Sequence, residues 1–501
     1  MTLPIFRGHP PGLAVCAATE MWERFSYYGM RALLIFYLTQ HFGFGDPEAF
    51  AIYGAYSGLV YMAPIVGGLA ADQWLGGRKA VVFGGLLLMA GHLGMAFEAS
   101  LTLFYLSLAL IIAGVGFLKT SATAIVGNLY EPADPRLDAG YTTYYMAYNV
   151  GGALAPLVCG WLGQRFGWGW GFGAAAVGMA FGLLAFFRGR HHLGGRAEPP
   201  APERLRASVA GLPREWWVYL GGAGFVLVLW WLLSNRSVVG PLLSALGLAT
   251  GVGLVYYAVF RCTPVERNKL LACAALIVFT LGFWAFYEQM GSSLALFSER
   301  LLDRVVLGFE IPASVLQSLP SFLVILLAPL FAALWLSLGK RGRDPSISIK
   351  FVVAIATLAV GFLILAAGIS LTAVGAKVPL IWFVLNFLLL VVGELCLAPL
   401  GTSMVSQLSP KRIGAFMMGA FFLAYSGASF LAGVIAGFAS VSPGAVSDPA
   451  VLRDAYGGVF LKLGAAALAV AAVLAVLSPF LTRLARGGSA ASNSAEAAAA
   501  S

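Results

Sequence analysis

Apolar runs of about twenty residues recur along the whole chain, separated by short breaks rich in polar residues, Gly and Pro. That is the length of helix needed to cross about 30 Å of hydrocarbon. The pattern predicts fourteen helices, near 12–40, 49–71, 80–97, 101–128, 139–164, 169–187, 215–233, 238–260, 270–298, 312–338, 349–370, 378–407, 414–440 and 456–482. The breaks sort them into groups. Residues 1–188 hold six helices, and the Pro-, Gly- and Arg-rich stretch 189–214 reads as an exposed linker. Two helices without an intramembrane charge fill 215–261, and six more fill 262–483. The Ala- and Ser-rich tail, 484–501, reads as disordered.

Composition removes the soluble alternatives. Of the 501 residues 60% are hydrophobic and only 11% charged, against about 25% charged in soluble proteins. A soluble enzyme, a nucleic-acid binder and a disordered scaffold are excluded. The net charge of +9 reflects topology: with the N-terminus inside, 21 of the 31 Lys and Arg residues lie on the inner side and 6 on the outer. That bias places both termini in the cytoplasm. The first apolar stretch is too long, and too interrupted by charge, for a cleavable signal. Five cysteines without CxxC spacing read as packing residues, and the five histidines offer no metal site.

The informative residues are the charges inside the bilayer, each costly unless paired or facing water. Lys462 lies close enough to a helix end to snorkel. The other seven, Glu20, Glu23, Arg24, Arg31, Lys119, Glu288 and Glu394, fall on the first and fourth helices of each six-helix group. A cavity between two pseudo-symmetric halves produces that placement. In 20-EMWERFSYYGMRALLIF-36, Glu23, Arg24, Tyr27 and Arg31 lie within about 60° of Glu20 on the helical wheel. A protonatable carboxylate beside an arginine is a proton switch: protonation frees the arginine to bind an anion.

The motif ExxERFxYYGMR, with Glu20, Glu23, Arg24, Phe25, Tyr27, Tyr28 and Arg31, resembles the first-helix signature of the proton-dependent oligopeptide transporters of the major facilitator superfamily. Similar segments follow in 60-VYMAPIVGGLAADQWLGGRKA-80, 114-GVGFLKTSATAIVGNLY-130, 144-YYMAYNVGGALAP-156, 283-FWAFYEQMGSS-293 and 393-GELCLAPLG-401. The resemblance implies an all-α integral membrane protein with the major facilitator fold, two six-helix bundles plus two inserted helices. It implies that Glu20 and Glu23 carry or relay the proton and that Arg24 with Lys119 receives the peptide carboxylate. Tyr27, Tyr28, Tyr61 and Asn149 would hydrogen-bond the peptide, Trp284 would wall the pocket and Glu394 would take the ammonium. Arg31 and Glu288 would pair as an outer gate. By the same likeness Asp72, Arg78 and Lys79 would lock the inner ends of helices two and three.

Some positions depart from the pattern. Thr120 stands where a proline commonly follows the lysine, Pro320 and Ser321 replace an Asn-Pro pair, Phe421 replaces a tryptophan, and Gly54 occupies the place of a histidine. The expected function is a proton-coupled symporter importing di- and tripeptides by alternating access. The alternatives are symport of another small anionic or zwitterionic solute such as nitrate, and a non-transporting membrane peptide sensor. No catalytic cluster and no GxxxxGK motif supports an enzyme or ATP-driven transport. The expected partners are peptides, protons and membrane lipids, with no cofactor and no nucleic acid, and the chain is expected to act as a monomer in the inner membrane.

Overall fold

A computed structural model describes residues 6–131 and 134–486; the tail from 487 onward, expected to be disordered, lies outside the described residues. Among these, fourteen helices are of membrane-spanning length: α1 (Gly12–Phe36), α2 (Asp46–Ala70), α3 (Gly76–Ala96), α4 (Leu101–Asn128), α5 (Leu137–Ala155), α6 (Trp168–Gly189) and α7 (Arg214–Ser234). The series continues with α8 (Val239–Phe260), α9 (Pro264–Tyr287), α10 (Leu319–Lys340), α11 (Ile347–Leu371), α12 (Leu380–Leu408), α13 (Gly414–Ala436) and α14 (Pro449–Ala485). Eleven continuous helical stretches are long and apolar enough to cross a membrane, and one of them, Asp46–Ala96, contains both α2 and α3. The charges of α1 and the tyrosines and glycines of α5 keep those two helices out of the eleven. With them the count is fourteen.

Helix ends follow from local chemistry. The predicted start of α9 lies six residues late because Thr263 and Glu266 form a capping box around Pro264, drawing polar residues into the first turns. Likewise α14 starts early, with Asp448 accepting from the Ala450 amide ahead of a proline at the first position. Three helices widen to π geometry at 37–41, 71–75 and 156–160. The last begins at Pro156, whose missing N–H removes a ladder bond. Helix α9 gives way to a 3-10 turn at Glu288–Gly291, so Glu288 sits at a helix end.

Two compact units result. The first runs to Val239 and takes in Arg304–Ile325; the second holds Gly240–Asp303 and continues from Leu326. Each inserted helix packs within its own unit. In the first, Gly222 of α7 lies against Phe83 and Phe117, and the Tyr219 ring packs, tilted, 5.0 Å from that of Phe83. In the second, Gly240 of α8 seats the ring of Phe430, and the Tyr257 hydroxyl accepts from Arg412.

The segment 304–325 belongs to the first unit through contacts with α1 and the α5 region. The Ser314 amide and hydroxyl donate to the Gln164 side chain at 3.0 and 2.7 Å, and Gln317 donates to the Ala32 carbonyl at 3.2 Å. Ser321 packs against Gly152. The unit boundary therefore falls inside α10, between Ile325 and Leu326. Four residues on, Pro329 has no N–H to give the Ile325 carbonyl.

In membranes, helices pack through small residues that let backbones meet. A Cβ on Gly67 of α2 would lie 2.2 Å from the Gly116 carbonyl oxygen of α4, while one on Gly173 of α6 would meet nothing within 4 Å. Gly67→Ala is expected to destabilise the protein by about 1–3 kcal/mol, with Gly173→Ala close to neutral. Thermal unfolding midpoints of the two variants in one detergent check this.

The stretch between α6 and α7 folds onto the ends of the first unit's helices. Leu193, Ala197 and Leu205 are buried. Arg196 donates to the Leu129 carbonyl at 2.8 Å and to Glu131 at 2.6 Å. The Arg78 amide donates to the Ala197 carbonyl at 2.8 Å, and its guanidinium grips Glu198 with two bonds of 2.6 and 2.8 Å. Lys79 pairs with Glu215. Gly76, at φ +71°, permits this approach, because a Cβ there would lie 2.5 Å from the Glu198 backbone. The partners of Arg78 and Lys79 are thus Glu198 and Glu215, while Asp72 is exposed. The sequence could not place them together, since more than a hundred residues separate the partners. Arg78 holds the Glu198 carboxyl below its ordinary range. The stabilisation from this pair is present above that range and fades only as pH falls through the lowered value.

Candidate functional site

The first unit brings most of the predicted residues onto α1 and its neighbours. Helix α1 is buried along nearly its whole length, so its charged stripe faces protein. The Arg24 Nε lies 2.5 Å from Glu23 Oε2 and 3.3 Å from Glu20 Oε1. All three side chains are almost fully buried. The bond directions make the Arg24–Glu23 contact one of charge on charge, without an aligned hydrogen bond. Lys119 is within electrostatic reach of Glu23, and its Nζ stands 5.3 Å from the Tyr61 ring centroid. Helix α4 passes Thr120 without interruption.

Tyrosines complete the site. Tyr144 donates to Glu20 Oε2 at 2.7 Å. The Arg24 guanidinium lies 4.9 Å from the Tyr148 ring and 5.3 Å from that of Tyr27. Tyr28 and Tyr148 share a hydroxyl contact of 2.6 Å. Cation–π contacts of this kind hold a guanidinium without neutralising it. Asn149, also buried, donates to the Tyr145 carbonyl at 2.9 Å. Further along α1, Arg31 Nε donates to the Tyr53 hydroxyl at 2.7 Å and its guanidinium lies 5.9 Å from the Tyr28 ring. Tyr53, Tyr144 and Tyr148 were not among the predicted residues. Tyr144 and Tyr148, four apart on α5, form a helical stripe that could have flagged two of them.

The second unit holds the other three. Glu394 is gripped by the Tyr287 hydroxyl, and Glu288 is within electrostatic reach of it. Trp284 is buried 4.6 Å from the Tyr425 ring and 5.1 Å from that of Tyr287. Phe421 packs on Gly401, where a Cβ would come within 2.6 Å of its ring. Tyr425 is an aromatic partner that only the fold brings to Trp284, whereas Tyr287, three residues on along α9, follows from helical spacing.

Buried carboxylates sharing an arginine, ringed by hydroxyls in spanning helices, fit a membrane transporter. Known proteins agree. The model of the POT family matches residues 78–451. Peptide transporter YePEPT of Yersinia enterocolitica is 37% identical over 460 residues, covering 86% of this chain and 88% of that protein. Dipeptide and tripeptide permease B of Salmonella typhimurium is 32% identical over 469 residues, covering 93% and 94%. Among solved structures, a mutant peptide transporter of this family in complex with alafosfalin superposes with a TM-score of 0.81 at 34% identity over 96% of both chains. The chain belongs to the POT family and has its major facilitator fold.

Proposed function

We propose that the chain is a proton-coupled symporter that imports di- and tripeptides by alternating access. The observation that carries this reading is the buried cluster in which Glu20 and Glu23 share Arg24. Neutralising a carboxylate there by protonation loosens its hold on the guanidinium, so proton and anionic substrate group bind together. Lys119 adds a second cation for a peptide carboxylate, and Tyr27, Tyr28, Tyr61 and Asn149 supply the polar groups a peptide backbone needs. In the second unit, Glu394 takes the amino terminus and Trp284 forms an aromatic wall. Arg31 and Glu288 act as gate residues. The protein works in the inner membrane as a single chain, with both termini cytoplasmic, driven by the proton gradient and needing no cofactor.

Reconstituted protein should accumulate labelled dipeptide when an inward proton gradient is imposed and lose accumulation when an uncoupler collapses it. Dipeptides and tripeptides should compete, whereas nitrate should neither compete nor accumulate. Gradient-independent accumulation would overturn proton coupling, and preferential nitrate uptake would overturn the substrate.

A further inference from the structure

Where the ends of α3, α6 and α7 meet, Arg78, Lys79, Val82, Phe83, Leu86, Phe187, Trp216 and Tyr219 line a cleft of about 370 Å³. It changes character along its length. Leu86 and Phe187 are exposed on the helix faces, and Leu86 lies eight residues, about 12 Å, along α3 from Arg78. Trp216, also exposed, is an aromatic side chain of the kind that anchors at a membrane–water interface. The cleft is therefore apolar along Val82, Leu86 and Phe187 and cationic at Arg78 and Lys79, the same polarity as a lipid's tail and headgroup.

The charges at its mouth do not cancel. Glu198 engages Nε and Nη2 of Arg78, leaving the Nη1 hydrogens outside that pair. Glu215 takes one direction of the Lys79 ammonium and a hydrogen bond of 2.8 Å from Tyr219. Arg190 acts on Glu198, and Arg206 on Glu215, through their charge. Four cations thus face two carboxylates. The carboxylates fix Arg78 and Lys79 in place, and the two further arginines leave an excess of positive charge. An apolar cleft that a fatty chain can enter, ending in surplus cations with free N–H donors, matches an anionic phospholipid. A zwitterionic lipid brings its own ammonium into the same excess and is disfavoured.

We propose that this cleft is a binding site for an anionic phospholipid, its phosphate at Arg78 and Lys79 and an acyl chain along Val82, Leu86 and Phe187. The insert's first helix and the strap before it then serve to build a lipid site on the transport unit.

The test is native mass spectrometry of the full-length protein offered phosphatidylglycerol and phosphatidylcholine at equal concentration. One phosphatidylglycerol per chain should be retained in clear preference. Leu86→Trp, which fills the cleft from its exposed face, should remove that retention, while Leu227→Trp on an exposed position of α7 should not. Arg206→Gln, which removes a surplus charge and leaves both ion pairs formed, should weaken phosphatidylglycerol retention about five-fold and leave phosphatidylcholine unchanged. Equal retention of the two lipids, or retention indifferent to both Leu86→Trp and Arg206→Gln, overturns the proposal. So does displacement of phosphatidylglycerol by inorganic phosphate, which would make the ligand a free anion. A dimer that Leu86→Trp dissolves would make the occupant a second copy and overturns it as well. The readout is binding alone, so its outcome is independent of peptide uptake.

Discussion

Glu23→Gln is expected to abolish proton-driven accumulation of dipeptide, bringing the internal-to-external ratio to about one, while exchange between equal pools persists. Glu23 has no exposed surface, and its carboxylate sits 2.5 Å from Arg24 Nε. An amide at this position mimics the protonated acid: it cannot ionise to recapture the guanidinium or carry a proton through the cycle. Substrate binding and the return step need no net proton movement when peptide is present on both sides. Glu20→Gln should have a milder effect, since Tyr144 holds one Glu20 oxygen and the other lies farther from Arg24, at 3.3 Å. Counterflow and gradient-driven uptake, measured side by side in proteoliposomes, separate the two activities. Normal accumulation by Glu23→Gln would remove this carboxylate from the coupling step.

Glu394→Ala is expected to weaken binding of free dipeptides by about ten- to a hundred-fold and to discriminate little between free and N-acetylated ones. Lys119→Ala should behave in the same way towards C-terminal amidation. A charge-assisted contact in a desolvated site is worth about 1.5–3 kcal/mol, which is that range of affinity. The polarity follows from sign: an ammonium is drawn to a carboxylate and repelled by Arg24 and Lys119. Tyr287 orients Glu394 by a hydrogen bond, and Lys119 stands over the Tyr61 ring, so each charge is fixed before substrate arrives. Competition assays at fixed pH with the four peptide forms provide the check. If Glu394→Ala still rejects N-acetylated peptides as strongly as the unmodified protein does, the polarity is reversed or absent.

How much of this was legible in the sequence depended on the range of the physics. Hydrocarbon thickness acts on every helix separately, so fourteen runs could be read in order, and α4 spans Leu101–Asn128 as predicted. The stripe of Glu20, Glu23, Arg24 and Arg31 is local to one helix and needed only the 3.6-residue turn. The partners of that stripe were another matter. Tyr53, Tyr144 and Tyr148 reach it from α2 and α5, and nothing in the spacing of α1 specifies which neighbour supplies a hydroxyl. The stretch 189–214 reads as linker because its Pro, Gly and Arg content is that of a solvated loop. The burial of Leu193, Ala197 and Leu205 and the grip of Glu198 on Arg78 arise only when distant helix ends converge. The interrupted helices read as continuous in the sequence, 139–164 and 270–298, although Pro156 stands at the first break; the end of α9 at Glu288 carries no proline signal.

The division of α10 has a mechanical consequence. A helix resists bending because every turn is tied to the next, and its compliance concentrates where a tie is missing. Here the missing tie is the Pro329 amide, and the carbonyl it leaves without a ladder donor is that of Ile325, the last residue counted with the first unit. The chain thus places its weakest rung at the point where its membership changes, and flexure there can be absorbed without unravelling the turns on either side.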